Sequence, residues 1–266
     1  MKKYLTVFGL SFQDEFTFRL NFILWRVRNV LRILMTFFLW NSIFSANKIA
    51  FGYTREQMIA YVFLVQIVSS FVMSAPSNDN VGGEIGNGDL SNYLIKPVGY
   101  LRYWLTRDWA SKLLNGIFSV LEITLLWLFL RPTVNLSSSP IILVIGIVSC
   151  ILAAILFFII TKLAVSIAFW NPEDTWGLMF LVMVFMETIA GTIFPLSVLP
   201  SAIYNLLKFT PFPYMIYFPI SILVGKFSIW ESTQIIIIGL GWILGFGIIL
   251  TKVWDKGLKT YAASGR

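Results

Sequence analysis

The sequence predicts an all-α polytopic membrane protein with six transmembrane helices. An amphipathic helix precedes them, a short cytoplasmic helix follows span two, and an outer re-entrant hairpin lies between spans five and six. Three observations carry this. Of the 266 residues 58% are hydrophobic and 12% charged, with a mean hydropathy of +0.80, whereas soluble chains are about half apolar and about a quarter charged. Six apolar runs approach the roughly 20 residues needed to cross about 30 Å of hydrocarbon. The Lys and Arg residues fall mainly between alternate runs.

The N-terminal segment, 1–29, repeats Leu5, Phe8, Phe12, Phe16, Leu20 and Ile23 every three or four positions, with Glu15 and Arg19 four apart. That spacing describes a helix lying in the membrane interface. It shows no short apolar core ending in an A-x-A-like site, so a cleaved signal peptide is not expected. The runs are Val30–Ile49, Met58–Ser74, Leu113–Leu130, Ile141–Ile160, Trp176–Leu196 and Ile235–Leu250. Arg26, Arg28 and Arg32 crowd the start of the first. An Arg at mid-bilayer costs about 2.5–3.5 kcal/mol on the insertion scale, so these side chains are expected at the surface, with Arg32 snorkelling. With both termini cytoplasmic, fifteen Lys and Arg lie inside and five outside. The positive-inside rule selects that orientation.

The residue types absent exclude much chemistry. There is no histidine and only one cysteine, Cys150, within an apolar run. Ser-His-Asp and Cys-His catalysis, His-ligated metals and an intrachain disulfide are therefore excluded. Cys150 reads as a small buried hydrophobe. The net charge of +7 is the orienting charge of a membrane protein, and no nucleic-acid partner is expected.

Two connections are more than loops. The second, 76–109, contains Glu84, then Gly86-Asn-Gly88-Asp89-Leu90, then Leu94, Lys96 and Pro97. Gly88 ends one segment, Asp89 can cap a helix of at most two turns, and Pro97 disfavours helix at Lys96. The glycines lack the G-x-x-x-x-G-K-[ST] pattern of a phosphate loop. An aromatic and basic belt follows, with Tyr100, Arg102, Tyr103, Trp104, Arg107 and Trp109. The fifth connection, with an outer segment at 197–232, carries Pro195, Pro200, Pro211, Pro213 and Pro219 yet remains very apolar. Its pieces are too short to span and read as re-entrant or interfacial helices.

Charges inside spans are costly and mark a functional site or a partnered pair. Glu122, Lys162 and Glu187 are such residues. Glu187 and Lys162 lie at comparable depth, which suits a mutual pair; lining a pathway and lone neutral carboxyls are the other readings. Gly241 and Gly245 form a G-x-x-x-G flanked by Gly239 and Gly247. That spacing serves close packing within one subunit or at a dimer seam. Residues 171–175, Asn-Pro-Glu-Asp-Thr, read as a tight cytoplasmic turn with Asp174 or Thr175 capping span five. In the tail, 252–266, Lys252, Lys256 and Lys259 share one face, and Trp254, Leu258 and Tyr261 another.

These motifs carry a resemblance. Glu84, Gly88, Leu90, Leu94 and Pro97 resemble the cytoplasmic motif E…G-T-L-x-x-x-L-x-x-P of ATP-binding-cassette exporter permeases of the second type, with Asp89 replacing the Thr. Pro195, Leu196, Ser197, Leu199, Pro200, Pro213, Tyr214, Pro219 and Gly225 resemble that family's outer pattern, P-L-S-x-L-P…P…Y…P…G. The tail from Trp254 to Tyr261 is similar to that of bacterial and archaeal members, which implies a prokaryotic cell membrane. The resemblance implies that 1–266 is a single permease domain that pairs with a second copy or a paralogous permease. It implies a separate cytosolic ATPase that holds ATP and Mg, no cofactor and no catalytic residue in this chain, and a coupling helix spanning Asp89 to Ile95. On that implication Leu90 and Leu94 enter a cleft on the ATPase, flanked by Glu84 and Lys96. A secondary transporter is the alternative, and it needs internal repeats that the halves do not show. An intramembrane lipid-modifying enzyme is a weaker one, since no clustered acid pair is present.

Overall fold

The computed structural model describes residues 2–15, 17, 19–46, 49–76, 79–134, 136–137 and 139–261. Phe16, Lys48 and Arg266, and the side chains of Arg19, Leu20 and Asp174, lie outside that description. The expected N-terminal helix is two elements: α1 (Lys2–Asp14) and the first turns of α2 (Arg19–Ala46). The break comes where the Thr17 N–H bonds back to the Asp14 carbonyl at 3.0 Å, closing α1. Along α2, Ile33, Phe37, Trp40 and Phe44 are buried. Their spacing of three and four residues makes one apolar stripe, which packs on Met58, Ile59, Val62 and Phe63 of α3 (Arg55–Val72).

Local chemistry explains where the elements start. Between α2 and α3 a small hairpin pairs β1 (Ile49–Ala50) with β2 (Tyr53–Thr54). Phe51 and Gly52, its two central residues, have φ of 55° and 74°, the positive values a two-residue hairpin turn requires. Thr54 and Gln57 then form a capping box that opens α3. Two short helices follow, α4 (Val81–Gly86) and α5 (Ser91–Leu94), and then α6 (Tyr100–Leu130). Pro140 occupies the first turn of α7 (Pro140–Val165), where its missing N–H costs nothing. After α8 (Thr175–Ile189) come α9 (Ser201–Leu207) and α10 (Tyr217–Leu223). A second capping box, Ser228 with Glu231, opens α11 (Ile229–Thr260).

Among the described residues three helices are long and apolar enough to cross a membrane, at Tyr100–Leu130, Pro140–Phe169 and Ile229–Thr260; Thr175–Ile189 is a shorter apolar helix. Together with the scarcity of sheet, this is an all-α membrane architecture. Helix α7 is its hub, packing against α3, α8, α10 and α11. The main core joins Leu156 and Phe157 of α7 to Met215, Ile216, Ile220 and Ile222.

That core corrects the expectation for span five. Helix α8 stops at Ile189 instead of running to Leu196. Gly191 sits at φ +91°, and a Cβ there would lie 2.9 Å from both the Tyr217 side chain and the Tyr61 hydroxyl. Only glycine adopts that conformation without steric cost. The exposed backbone is paid for locally: the Tyr217 N–H donates to the Ala190 carbonyl at 2.9 Å, and the Tyr61 hydroxyl to the Gly191 carbonyl at 2.7 Å. Irregular backbone at membrane depth survives where protein supplies such partners.

The proline-rich region is broken as expected, into turns at Leu196–Val198 and Phe212–Tyr214 around α9 and α10. Pro200 caps α9, Pro213 is buried in the second turn, and Pro219 lies in the first turn of α10, where proline is tolerated. Pro195 is buried and immediately precedes the first turn. The Tyr214 hydroxyl donates to the Lys208 carbonyl at 3.2 Å. Far from lying on lipid, residues 214–224 form the most buried stretch of the main core.

Candidate functional site

The 79–108 region is organised around one carboxylate. Glu84 lies in α4 and accepts hydrogen bonds from the Tyr93 hydroxyl at 3.0 Å, the Tyr100 hydroxyl, and Trp104 Nε1 at 3.3 Å. Burial, and then the Glu84 carboxylate, push the Tyr93 phenol above its ordinary range, so it stays a donor. Gly88 ends α4 with φ +86°, which lets the chain reverse so that the Leu90 N–H bonds to the Glu84 carbonyl at 2.8 Å. Leu90 then drops into a cluster with Val81, Ile85, Trp104 and Trp254.

The tail and the 171–175 turn close this end. Tyr100 stacks on Trp254 with centroids 5.3 Å apart, and Phe169 meets Trp254 edge-on at 5.1 Å. A Cβ on Gly257 would sit 2.3 Å from the Phe169 ring, so the tail approaches this closely only with glycine there. The Tyr261 hydroxyl accepts the Ser91 N–H at 3.3 Å. Pro172 and Thr175 press on Gly86 and Gly82 of α4, so the expected plain turn is instead a wall of the site. Lys252, Lys256 and Lys259 stay exposed on the opposite face of α11.

Ion pairs bind the site to the long helices. Lys162 of α7 pairs with Asp79, just before α4, and its ammonium lies 5.3 Å from the Trp104 ring centroid. Lys112 pairs with Asp108 at 3.3 Å and donates to the carbonyls of Val72 and Ser74 at 2.8 and 2.7 Å. A cation on those terminal carbonyls caps α3. Arg107 reaches Asp14 of α1 at 3.2 Å, and Lys3 donates to the Pro97 carbonyl.

Several expectations are corrected. Leu90, not Asp89, occupies the cap position of α5, with no side-chain cap bond, and α5 spans only Ser91–Leu94. Leu90 is 0% exposed, whereas Leu94 is 50% and Ile95 85% exposed. Glu84 faces inward, while Lys96 and Pro97 are exposed and the Lys96 ammonium sits 4.7 Å from the Tyr93 ring centroid. Lys162 and Glu187 form no pair. Asp79 takes Lys162, and Glu122 pairs with Arg26 at 3.4 Å, drawing that arginine off the surface and onto α6. Gly241 and Gly245 meet nothing within 4 Å, while Gly239 and Gly247 face Tyr214 and Ile159. Cys150 is free and half-buried.

The sequence alone assigns no role to Asp79, and none to Tyr93 or Ile95 beyond their place within Asp89 to Ile95. The phenol and indole donors of the aromatic belt are the signal that points to a shared acceptor, but nothing local pairs Asp79 with a lysine 83 positions away.

Long apolar helices with an aromatic, ion-paired cap at one end describe a multi-pass membrane protein. The chain belongs to the ABC-2 family of transporter proteins, whose family model matches residues 30–265. It is accordingly a membrane permease of ABC-type transport. Comparison with curated proteins and with solved structures finds no match.

Proposed function

We propose that this chain is the permease subunit of an ATP-driven exporter and docks on a separate cytosolic ATPase through the turn Leu94–Pro97. The ATPase holds ATP and Mg, and a second copy or a paralogue completes the pathway. The observation that carries the docking reading is the contrast within this turn. Its framework is pinned by Glu84 and by Leu90, yet Leu94 is half exposed and Ile95 almost wholly exposed. A rigid base under exposed apolar side chains suits an interface anchor.

Six crossings by α2, α3, α6, α7, α8 and α11, with both termini cytoplasmic, complete the proposal. Its support is the grouping of the connections. Lys226 donates to the Gly52 carbonyl, the Tyr53 hydroxyl meets Ser197 Oγ at 3.1 Å, and the Ser137 N–H bonds to the Leu223 carbonyl at 3.0 Å. Those contacts gather three connections at one end, while α1, the 79–99 segment, the 166–175 turn and the tail gather at the other. With Cys150→Ser as background, a cysteine at Ser228 is expected to react with an impermeant thiol reagent on intact cells and one at Asn92 to resist. The reverse pattern overturns the orientation.

The functional test is copurification of a cytosolic ATPase with the permease from detergent, with ATP turnover in lipid discs. Leu94→Asp combined with Ile95→Asp is expected to release the ATPase while the permease inserts normally. Val134→Ala, on the α6–α7 connection, is expected to change nothing. Full coupling in the double variant sinks the docking surface. If no ATPase copurifies even with the unaltered chain, a secondary transporter replaces the exporter.

A further inference from the structure

A cavity of about 260 Å³ opens between α2, α3 and the end of α8. Its walls are apolar at Val62 and Val65, but Arg32, Gln66 and Glu187 all line it. Gln66 is almost wholly buried and is fixed from both sides: its Oε1 accepts from Arg32 at 3.1 Å, and its Nε2 donates to Ser70 at 3.0 Å. Arg32 and Glu187 are exposed, and among the described residues neither forms a direct ion pair, so each keeps a face open to the cleft while the Glu187 charge acts on the Arg32 guanidinium across it. Elsewhere in the long helices Lys162, Lys112, Arg26 and Glu122 have each found an opposite charge. A cation and an anion line one apolar cleft here without a direct ion pair, and ionisable residues inside spans mark a functional site by default.

We propose that this cleft binds the head of a zwitterionic amphiphile, with its phosphate or carboxylate on Arg32 and its ammonium on Glu187. Gln66 holds the guanidinium in place. The volume suits a head and not a whole molecule, since sites enclosing drug-sized ligands run from about 300 to 1,000 Å³; the acyl or alkyl tail stays in the lipid. As a statement of what the transporter carries, this rests on the exporter reading. As a binding site, it stands on the chain alone.

The test therefore uses the purified full chain without ATPase. Phosphatidylethanolamine, phosphatidylglycerol and diacylglycerol of matched acyl chains serve as probes, with retained lipid counted by native mass spectrometry. Phosphatidylethanolamine is expected to be retained about tenfold more tightly than diacylglycerol, as befits charge-assisted bonds. Glu187→Gln is expected to remove the preference for phosphatidylethanolamine over phosphatidylglycerol, and Arg32→Gln the binding of both. Arg32→Lys is expected to restore part of it, and Phe129→Ala, on the exposed face of α6, to alter nothing. Equal retention of all three lipids by the unaltered chain overturns the proposal. So does an unchanged preference in Glu187→Gln, and if that variant loses dimer mass instead, the charges belong to an interface with a second copy. Absence of a copurifying ATPase removes the exporter reading and leaves these binding results standing.

Discussion

The two ends of the bundle solve the same problem with opposite chemistry. At the Glu84 end, short helices too small to bury themselves are held by one carboxylate with three donors, by the Asp79–Lys162 and Asp108–Lys112 pairs, and by stacked rings. At the Pro213 end, short helices are held by apolar burial, with Met215, Ile216, Ile220 and Ile222 completely buried. Polar contacts there include single bonds to backbone carbonyls and hydroxyl pairs of Tyr53 with Ser197 and of Tyr217 with Tyr204. A directional network defines one geometry and responds to the loss of any member, whereas close packing is non-directional and responds to lost volume. The proposed docking surface thus rests on the directional end, and the Pro213 end is closed chiefly by packing.

This contrast breaks most sharply at the carboxylate. Glu84→Leu leaves three donors without their acceptor, and each orphaned buried donor costs about 1–3 kcal/mol; the expected loss is about 3–5 kcal/mol, since part of the cluster regains water. Glu84→Gln, which keeps an acceptor, is expected to lose less than half of that in the same detergent melt. If both variants melt alike, the network is not centred on Glu84.

Next in size is Ile220→Ala, at about 2–4 kcal/mol, the range for truncating a filled core position. Proteolysis under a urea series measures it, and ATPase copurification is expected to persist. Loss of the ATPase with this variant erases the division of labour between the ends.

The Asp79–Lys162 pair gives a smaller and more diagnostic effect. Asp79→Asn leaves a buried ammonium facing Asp108, which already pairs with Lys112, for about 2–3 kcal/mol, less than the range for fully buried pairs because the Asp79 side chain is 20% exposed. Combining Asp79→Leu with Lys162→Met is expected to recover most of the loss, since apolar replacement of a buried pair is often neutral. A double variant worse than either single one contradicts that cycle.

Smallest is Tyr53→Phe, which removes the hydroxyl facing Ser197 and is expected to cost about 0.5–1.5 kcal/mol, as for one ordinary hydrogen bond. Ser197→Ala in the same background is then expected to add nothing.

What the sequence by itself determined was set by local rules. Composition and run length announced a polytopic helical protein, the capping residues opened α3 and α11, and the prolines at 195, 200, 213 and 219 kept the fifth connection from forming a span, because each of these effects acts within a few residues. The motif from Glu84 to Pro97 was legible as a unit for the same reason. Its facing was not: Leu90 and Leu94 are equally apolar, and only Trp104 of α6 and Trp254 of α11, closing over the nearby Ile85, buried the first and left the second outside. The partners of the charges were likewise a tertiary decision. Lys162 had Glu187 available at a plausible depth, but a charge pairs with whatever the packing of α7 brings within reach, and that was Asp79. Arg32 and Glu187, which form no direct ion pair among the described residues, became visible as a pair only once α2, α3 and α8 enclosed a common cleft.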